Sequence, residues 1–393
     1  MSEFNTETIT DRAGTGKPDL TFGFKINGSD SGINPFLHTE SANEPSNPNN
    51  GDAWLDTTNN IYKVYIDNEW KDFFGTTALL WYGDRAVRVG VGRVNPSQLS
   101  GSAASVVPNN QIHRYDITTL GDAVDFKDRT VSTVRQSGCG NASNAYIFGG
   151  TTTGENTTGA INTIEYFSIS NSNNAQDFGD LSAIDKDGAA VSDGTYGVHS
   201  VGYGNTISYT GSIEYITLAT TGNASDFGDR TIQGSIQSSV NNATRGCFAA
   251  GYSGVTQNTI DYITMATPGN ATDFGDLTVA GYGFDAGAGS GSGDRGLFGS
   301  MLGRSGVIDY ITISNTGNAT DFGDLFVGLS LTSFQTRYGG GVSNATRAVF
   351  SASADSDVMQ YVTMSTAGNA VDFGDQLSTT ANDAQSNVSG NAS

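Results

Sequence analysis

The sequence predicts an all-β protein, and three observations carry that expectation. Gly supplies 52 of the 393 residues, about 13% against roughly 7% in ordinary proteins. That excess does not suit helices, where an interior Gly costs about 1 kcal/mol relative to Ala. An Asp-Phe-Gly-Asp segment recurs with variations, its Phe at Phe126, Phe178, Phe227, Phe274, Phe322 and Phe373, at intervals of 52, 49, 47, 48 and 51 residues. Upstream of each copy, apolar and polar residues alternate with the period of a half-buried strand. Repeats of roughly 40–50 residues with four short strands each indicate propeller blades. The expectation is a six-bladed β-propeller over 76–393, closed by pairing of the C-terminal strand with the N-terminal blade, after a small β module within 1–75.

In chain order, residues 1–75 share nothing with the repeat. The stretch PSNPNNGDAWLDTTNNIYKVYIDNEW (45–70) reads as a small antiparallel unit, with Trp54, Asp56, Tyr62, Tyr65 and Trp70 as candidate attachment residues and a turn at Asp67-Asn68. It is too small to bury much core alone, so it is expected to dock on a partner, with an extended arm before it. The opening MSEFNTETITDRAGTGKPD has no basic stretch followed by an apolar run, so no secretory signal is expected. No run approaches the roughly 18 apolar residues of a membrane span.

Each repeat is expected to hold four strands. One follows Phe-Gly-Asp, as in DLTVAGYGF; the second is the RGCFAAGY element; the third is TIDYITMAT; the short fourth carries Asp-Phe. Tyr115, Tyr166, Tyr215, Tyr262, Tyr310 and Tyr361 mark the third strands. The segment GDRAVRVGVGRVN (83–95) matches a second strand, so the first unit lacks its own first strand, and the closing LSTTANDAQSNVSGNAS supplies one. Pairing the two ends would remove an exposed sheet edge.

The units resemble kelch repeats, in which an Arg, a hydrophobic run ending in Gly-Gly, a Tyr strand and a Trp follow in order. Arg135, Ile147-Phe148-Gly149-Gly150, Tyr166 and Phe178 stand in that order. Two departures limit the resemblance to the fold: one unit alone has Gly-Gly, and Phe replaces Trp throughout. The module at 45–70 resembles one frequent in bacteriophage tail-fibre and virion proteins, through Pro48, Gly51, Asp52, Trp54 and Asp56, and the repeat resembles those of cyanophage structural proteins. The resemblance implies a virion structural protein on the particle exterior, a tail fibre or host-attachment component. It would contact other virion proteins through its N-terminal module and a host-surface glycan or protein, and it would self-associate, as a trimer in a fibre. The alternatives are a capsid-decorating fibre and a non-viral kelch-like protein- or glycan-binding scaffold.

No constellation in the sequence points to an enzyme, a cofactor or a metal. His38, His113 and His199 fall at unrelated repeat positions, and Pro18 after Lys17 spoils a phosphate loop. Cys139 and Cys247 read as small core residues, the first placed just before a second strand. Pairs such as Asp226/Asp229, Asp273/Asp276 and Asp321/Asp324 read as turn formers, with a hard-cation site as the alternative. Arg85, Arg245, Arg295 and Arg347, with Asn144 and Tyr196 at the same position, are expected to bond the Asp of a nearby turn. The Asn-Ala-Ser/Thr sequons at Asn223, Asn242, Asn270, Asn318 and Asn344 read as by-products of a repeated turn. The formal charge of -21, from 19 Lys plus Arg against 40 Asp plus Glu, argues against nucleic acid and against an anionic membrane surface. Recognition is expected where repeats differ: 96–110, 151–162 and 285–296.

Overall fold

The computed structural model describes residues 25–26, 29–30, 38–41, 43–50, 52–56, 61–66, 69–72, 82–90, 93–94, 106–153, 158–206, 208–281, 287–289, 294–299, 306–325, 340–351, 357–377 and 386–390. The described residues are all-β, with no helix among them. The chain divides into two compact units, Met1–Ala78 and Leu79–Ser393. The turn at Asp67-Asn68, Lys17 and residues 96–105 lie outside the described residues.

In the first unit, His38–Ser41, Ala53–Asp56, Ile61–Ile66 and Glu69–Asp72 form one sheet in that order. The last three strands pair antiparallel, as the sequence suggests, and His38–Ser41 adds in parallel to Ala53–Asp56.

The second unit contains six four-stranded antiparallel sheets. Sheet two holds Ser137–Gly140, Asn144–Phe148, Ile161–Ser168 and Gln176–Asp185. Sheet three holds Ala189–Ser192, Tyr196–Ser200, Ser212–Thr217 and Ser225–Asp229. Sheet four holds Ser238–Asn241, Arg245–Ala249, Gln257–Thr264 and Thr272–Gly281. Sheet five holds Gly287–Gly289, Arg295–Phe298, Val307–Thr312 and Thr320–Asp324. Sheet six holds Gly341–Ser343, Arg347–Ser351, Val358–Thr363 and Val371–Asp375. Sheet one has Arg85–Val89, Asn109–Asp116 and Val124–Thr133, and its first strand is Ser386–Gly390, paired antiparallel to Arg85–Val89.

The first strands are not where the sequence suggests. In sheets one, two and four the residues after the repeated Phe continue the fourth strand, as far as Gly281 in sheet four. In sheets three, five and six that strand ends at the Asp of Phe-Gly-Asp, and the next first strand comes later, as at Ser238–Asn241 after Asp229. Cys139 therefore lies within a first strand. These segments are built of Ser, Ala, Gly and Asn, which carry little strand propensity. Their burial among neighbouring strands makes them strands.

The repeated Phe owes its place to a β-bulge. In sheet four Ile260 pairs with Gly275 and Asp261 with Asp273, so Phe274 is the extra residue. The same slip falls at Phe126, Phe178, Phe227, Phe322 and Phe373. A bulge re-aims a side chain. Five of these rings are buried between sheets, and Phe126 is half-buried. Tyr262 and Phe274 meet edge to face at 6.1 Å, and equivalent pairs form in sheets two, three, five and six. Sheet one departs from the expected pattern. Its register sets Arg114 at the Tyr position and Tyr115 at the next residue, equivalent to Ile263. Arg114 lies 5.2 Å from the Phe126 ring centroid, a cation–π contact in place of the ring pair.

Hydrophobic clusters lie between consecutive sheets. One joins Ile260 and Phe274 of sheet four to Phe298 and Ile311 of sheet five. Another joins Val349, Met359 and Phe373 of sheet six to Ala86, Tyr115 and Ile117 of sheet one. Backbone bonds reinforce each junction. Gly317 N–H donates to Phe274 O at 2.8 Å, Ala319 N–H donates to Asp276 O at 2.8 Å, and Asp276 N–H donates to Asn318 Oδ1 at 3.1 Å. From sheet six to sheet one, Gly121 and Ala123 N–H donate to Phe373 O and Asp375 O, and Asp375 N–H donates to Asp122 Oδ1 at 3.0 Å. The sequon residues Asn223, Asn270 and Asn318 are thus joints between sheets.

The Arg positions also work between sheets, and among the described residues the expected Arg–Asp bonds do not form. Arg245 Nη1 donates to Ile313 O and Ser314 O at 3.2 and 2.7 Å, Arg347 to Ile117 O and Thr118 O, and Arg85 to Ile169 O and Ser170 O. The turn carbonyls of the neighbouring sheet need donors, and the guanidinium reaches two at once. The nearby Asp294 instead accepts from Asn242 Nδ2 at 2.7 Å.

Candidate functional site

Because each sheet runs 1-2-3-4 antiparallel, its 1–2 and 3–4 turns share one end. The 2–3 loops and the 4-to-next-1 connections share the other. Among the described residues, the first end carries the Asn- and Asp-based turns that interlock the sheets. The second end varies from unit to unit. The expected recognition stretches 96–110 and 151–162 lie in 2–3 loops of that second end. The third, 285–296, contains the strand Gly287–Gly289 and the start of Arg295–Phe298, so it straddles both ends.

At the variable end, sheets two to four share a buried polar network. Arg135, Asp187 and Ile236 occupy one repeat position, two residues before successive first strands, and all have left-handed backbones, with φ of 64°, 66° and 60°. Non-Gly residues there cost roughly 1–3 kcal/mol each and cluster at functional sites; for β-branched Ile236 the conformation is a true outlier. They are held in series: Asp187 N–H donates to Arg135 O at 2.9 Å, and Ile236 N–H to Asp187 O at 2.7 Å. Arg135 Nε donates to Asp187 Oδ1 at 2.7 Å, its Nη2 pairs with Asp187 Oδ2, and the same Nη2 donates to Tyr203 Oη at 2.7 Å. Lys186 Nζ donates to Gly204 O at 2.9 Å and lies 5.0 Å from the Tyr203 ring centroid. Burial, with Arg135 adding to it, pulls the Lys186 ammonium below its usual pKa. Tyr203, Tyr209 and Tyr252 form an edge-to-face ladder with 6.2 Å spacings, Tyr209 and Tyr252 half-exposed beside exposed Val255.

Beneath this network lies a Ser–His–Asp relay that the sequence did not suggest. Ser137 Oγ is 2.9 Å from His199 Nδ1, and His199 Nε2 is 2.8 Å from Asp185 Oδ2. Gly202 N–H donates to Asp185 Oδ1 at 2.9 Å. Burial raises the Asp185 carboxyl above its usual pKa, and the bonds from His199 and Gly202 offset that rise only in part. With Asp185 ionised, Nε2–H donates to it and Nδ1 accepts the Ser137 hydroxyl proton, so each group is satisfied. The connectivity is that of a nucleophile, base and orienting acid. Ser137 and His199 are, however, each 1% exposed, which leaves no approach for a substrate carbonyl. The relay ties sheet three to sheet two. Of the other histidines, His113 is buried in the third strand of sheet one, and His38 sits in a strand whose side chains are outside the described residues.

Sequence reasoning also missed a set of buried carboxylates just before the Tyr position: Glu165, Glu214, Asp261 and Asp309. Each holds the residues that follow the preceding sheet's Phe-containing motif. Asp309 accepts from Thr278 N–H at 2.9 Å and Thr278 Oγ1 at 2.6 Å, and Glu214 accepts from Ser182 N–H at 3.1 Å. Glu165 adds an ion pair with Arg129, and Asp261 one with Arg230. Their recurrence in four consecutive repeats was the available signal. The flanking Asp pairs of the Phe-Gly-Asp motif behave as backbone joints, and no His, Cys, Asp or Glu group among the described residues could hold a metal. Cys139 and Cys247 are buried and not joined in a disulfide, and burial pushes the Cys247 thiol up.

In the N-terminal module, the structure brings Trp54, Tyr65 and Trp70 together. Trp70 meets Trp54 at 5.5 Å and Tyr65 at 5.3 Å, both edge to face. Trp54 is 4% exposed and donates Nε1–H to Ser41 O at 3.0 Å, so it serves as the module's core. The strands place Asp56 opposite Ile61 and Tyr62 opposite Leu55, and the side chains of Asp56 and Tyr62 lie outside the described residues. No family model and no curated protein matches the chain.

Proposed function

We propose that the six sheets form a six-bladed β-propeller and that the chain is a bacteriophage virion structural protein. In this reading it is a tail fibre or host-recognition component on the particle exterior, docked to other virion proteins through residues 1–75. The observation that carries the reading is the contrast between the two ends of the sheets. Among the described residues one end is a set of repeated, mutually bonded turns, and the other carries connections whose length and sequence differ from repeat to repeat, beside the buried polar network of sheets two to four. A rigid frame with variable loops is suited to recognition. The propeller reading is supported by the contacts of Ser386–Gly390 with the first strands of both sheet two and sheet six. The relay's burial favours a binding role over an enzymatic one. The expected partners are virion proteins, a host-surface glycan or protein, and further copies of the chain, a trimer in a fibre; neither nucleic acid nor a membrane interior is among them. Mass spectrometry of purified particles tests this directly: the polypeptide should be present, and its absence would sink the virion reading. Immunogold labelling then separates a tail fibre from a capsid-decorating fibre.

A second reading, a glycan- or protein-binding scaffold outside any virion, is favoured by the half-exposed Tyr209 and Tyr252, backed by buried Tyr203, since aromatic rings bury large amphipathic surfaces at interfaces. Finding the protein only in cell fractions without particles would select it.

A further inference from the structure

A cavity of about 70 Å³ runs between the first strands of sheets one, two, three, four and six. Its described wall holds hydroxyls, amides and backbone, and no charged side chain: Ser192, Ser239, Asn241, Ser343, Asn387 and Ser389 supply the polar side chains. Two of these bond directly from sheet four to sheet three. Ser239 Oγ donates to Ala190 O at 2.7 Å, and Asn241 Nδ2 to Ser192 O at 2.7 Å. The strand register makes Asn387 and Ser389 the equivalents of Ser239 and Asn241, and Gly341 and Ser343 the equivalents of Ala190 and Ser192. Ser389 Oγ makes its expected bond, to Ser343 O at 2.7 Å. Asn387 does not make the other. It is 7% exposed, and neither its Oδ1 nor its Nδ2 has a partner among protein groups.

We propose that this cavity is a hydration site, in which ordered water joins the Asn387 amide to Gly341 O and so fastens the C-terminal strand to sheet six. A buried amide with neither atom bonded is strongly disfavoured. Ser239 Oγ reaches its carbonyl directly at the equivalent junction, whereas both amide atoms of Asn387 are left without a protein partner. The guest must accept from Nδ2 and donate to Oδ1 and to a carbonyl, which water does with its two donors and two lone pairs. The described wall carries no charged side chain to neutralise an ion, and the volume accommodates several waters at about 10–15 Å³ each.

A crystal structure at about 1.5 Å resolution, from crystals grown and cooled without polyols, should show density within hydrogen-bonding distance of both Asn387 amide atoms and of Gly341 O. Thermal unfolding supplies a second readout. N387L should lower Tm, because it breaks the bridge. N387S should restore Tm to the wild-type value or above, by making the direct bond that Ser239 makes. The proposal is overturned if Asn387 proves to be bonded to protein with no density beside it, or if N387L unfolds at or above the wild-type temperature. The latter would mean that the amide was an unsatisfied liability.

Discussion

The backbone N–H of Asp276 in sheet four donates to the side-chain Oδ1 of Asn318 in sheet five at 3.1 Å, and this joint explains why Phe-Gly-Asp and Gly-Asn-Ala recur together. The two motifs of neighbouring repeats bond to one another, so neither can drift alone. Gly275, between Phe274 and Asp276, has φ of +144°, and a Cβ there would stand 2.5 Å from Gly317 O. G275A should therefore cost at least about 2 kcal/mol, through both strain and overpacking. Gly269 has open space where its Cβ would stand, and G269A should change stability by no more than about 0.5 kcal/mol. Denaturant midpoints of the two variants check the contrast; equal losses would show that the joint is not the cause.

Removing Asp309 should be costly for a different reason. It leaves Thr278 N–H and Oγ1 without their acceptor in a buried site. D309A should lose about 2–4 kcal/mol, and D309N, which keeps an acceptor, should lose less. E165A should lose about 3–5 kcal/mol, because it strands the Arg129 guanidinium in the interior. Urea unfolding of the three variants tests that order.

These carboxylates show what was and was not legible in the sequence. The count of sheets, the third strands and the Phe positions follow from a period that every repeat obeys. The C-terminal strand's pairing with Arg85–Val89 followed from matching the two chain ends. The first strands did not show, because Ser238-Ser239-Val240-Asn241 has no strand pattern of its own and pairs only through its neighbours. Tyr115 was misassigned because the register in sheet one is set by backbone pairing, which puts Arg114 over Phe126. The Ser137–His199–Asp185 relay occurs once, so no period announces it, and its members come from segments 62 and 14 residues apart.

Arg245 bridges two carbonyls and lies 4.5 Å from the Tyr262 ring centroid. R245A should lose about 1–2 kcal/mol. R245K should not recover it, since an ammonium cannot match the planar fork over the ring. A lysine variant as stable as wild type would show that charge alone suffices.

His113 makes stability pH-dependent with a definite sign. Burial, aided by Arg88 and opposed by Asp125, lowers its pKa to about 4 from the usual 6.5. The folded state therefore favours the neutral ring. The stability this brings is fully present above about pH 6.5 and is lost as pH falls from there to about 4. A shift of this size corresponds to about 3 kcal/mol. H113Q places at this position the residue type that Gln360 supplies in sheet six, and it should remove that component. The difference in unfolding free energy between wild type and H113Q should shrink or reverse between pH 7 and pH 4, and a constant difference would contradict the assignment.

The buried relay gives the last prediction. Ser137 has the partners of an activated nucleophile, since His199 accepts its proton and Asp185 orients the ring. A hydroxyl needs more than activation: the reacting atom must approach within about 3 Å. At 1% exposure Ser137 offers no such approach. A fluorophosphonate probe should therefore leave Ser137 unmodified in the folded protein, as read by peptide mass spectrometry. S137A should instead act on stability, because it leaves His199 Nδ1 as a buried acceptor without its donor, at a cost of about 1–3 kcal/mol. Stoichiometric labelling at Ser137, abolished in H199A, would mean that the variable end opens to expose the relay, and the binding-only reading of this end would have to be abandoned.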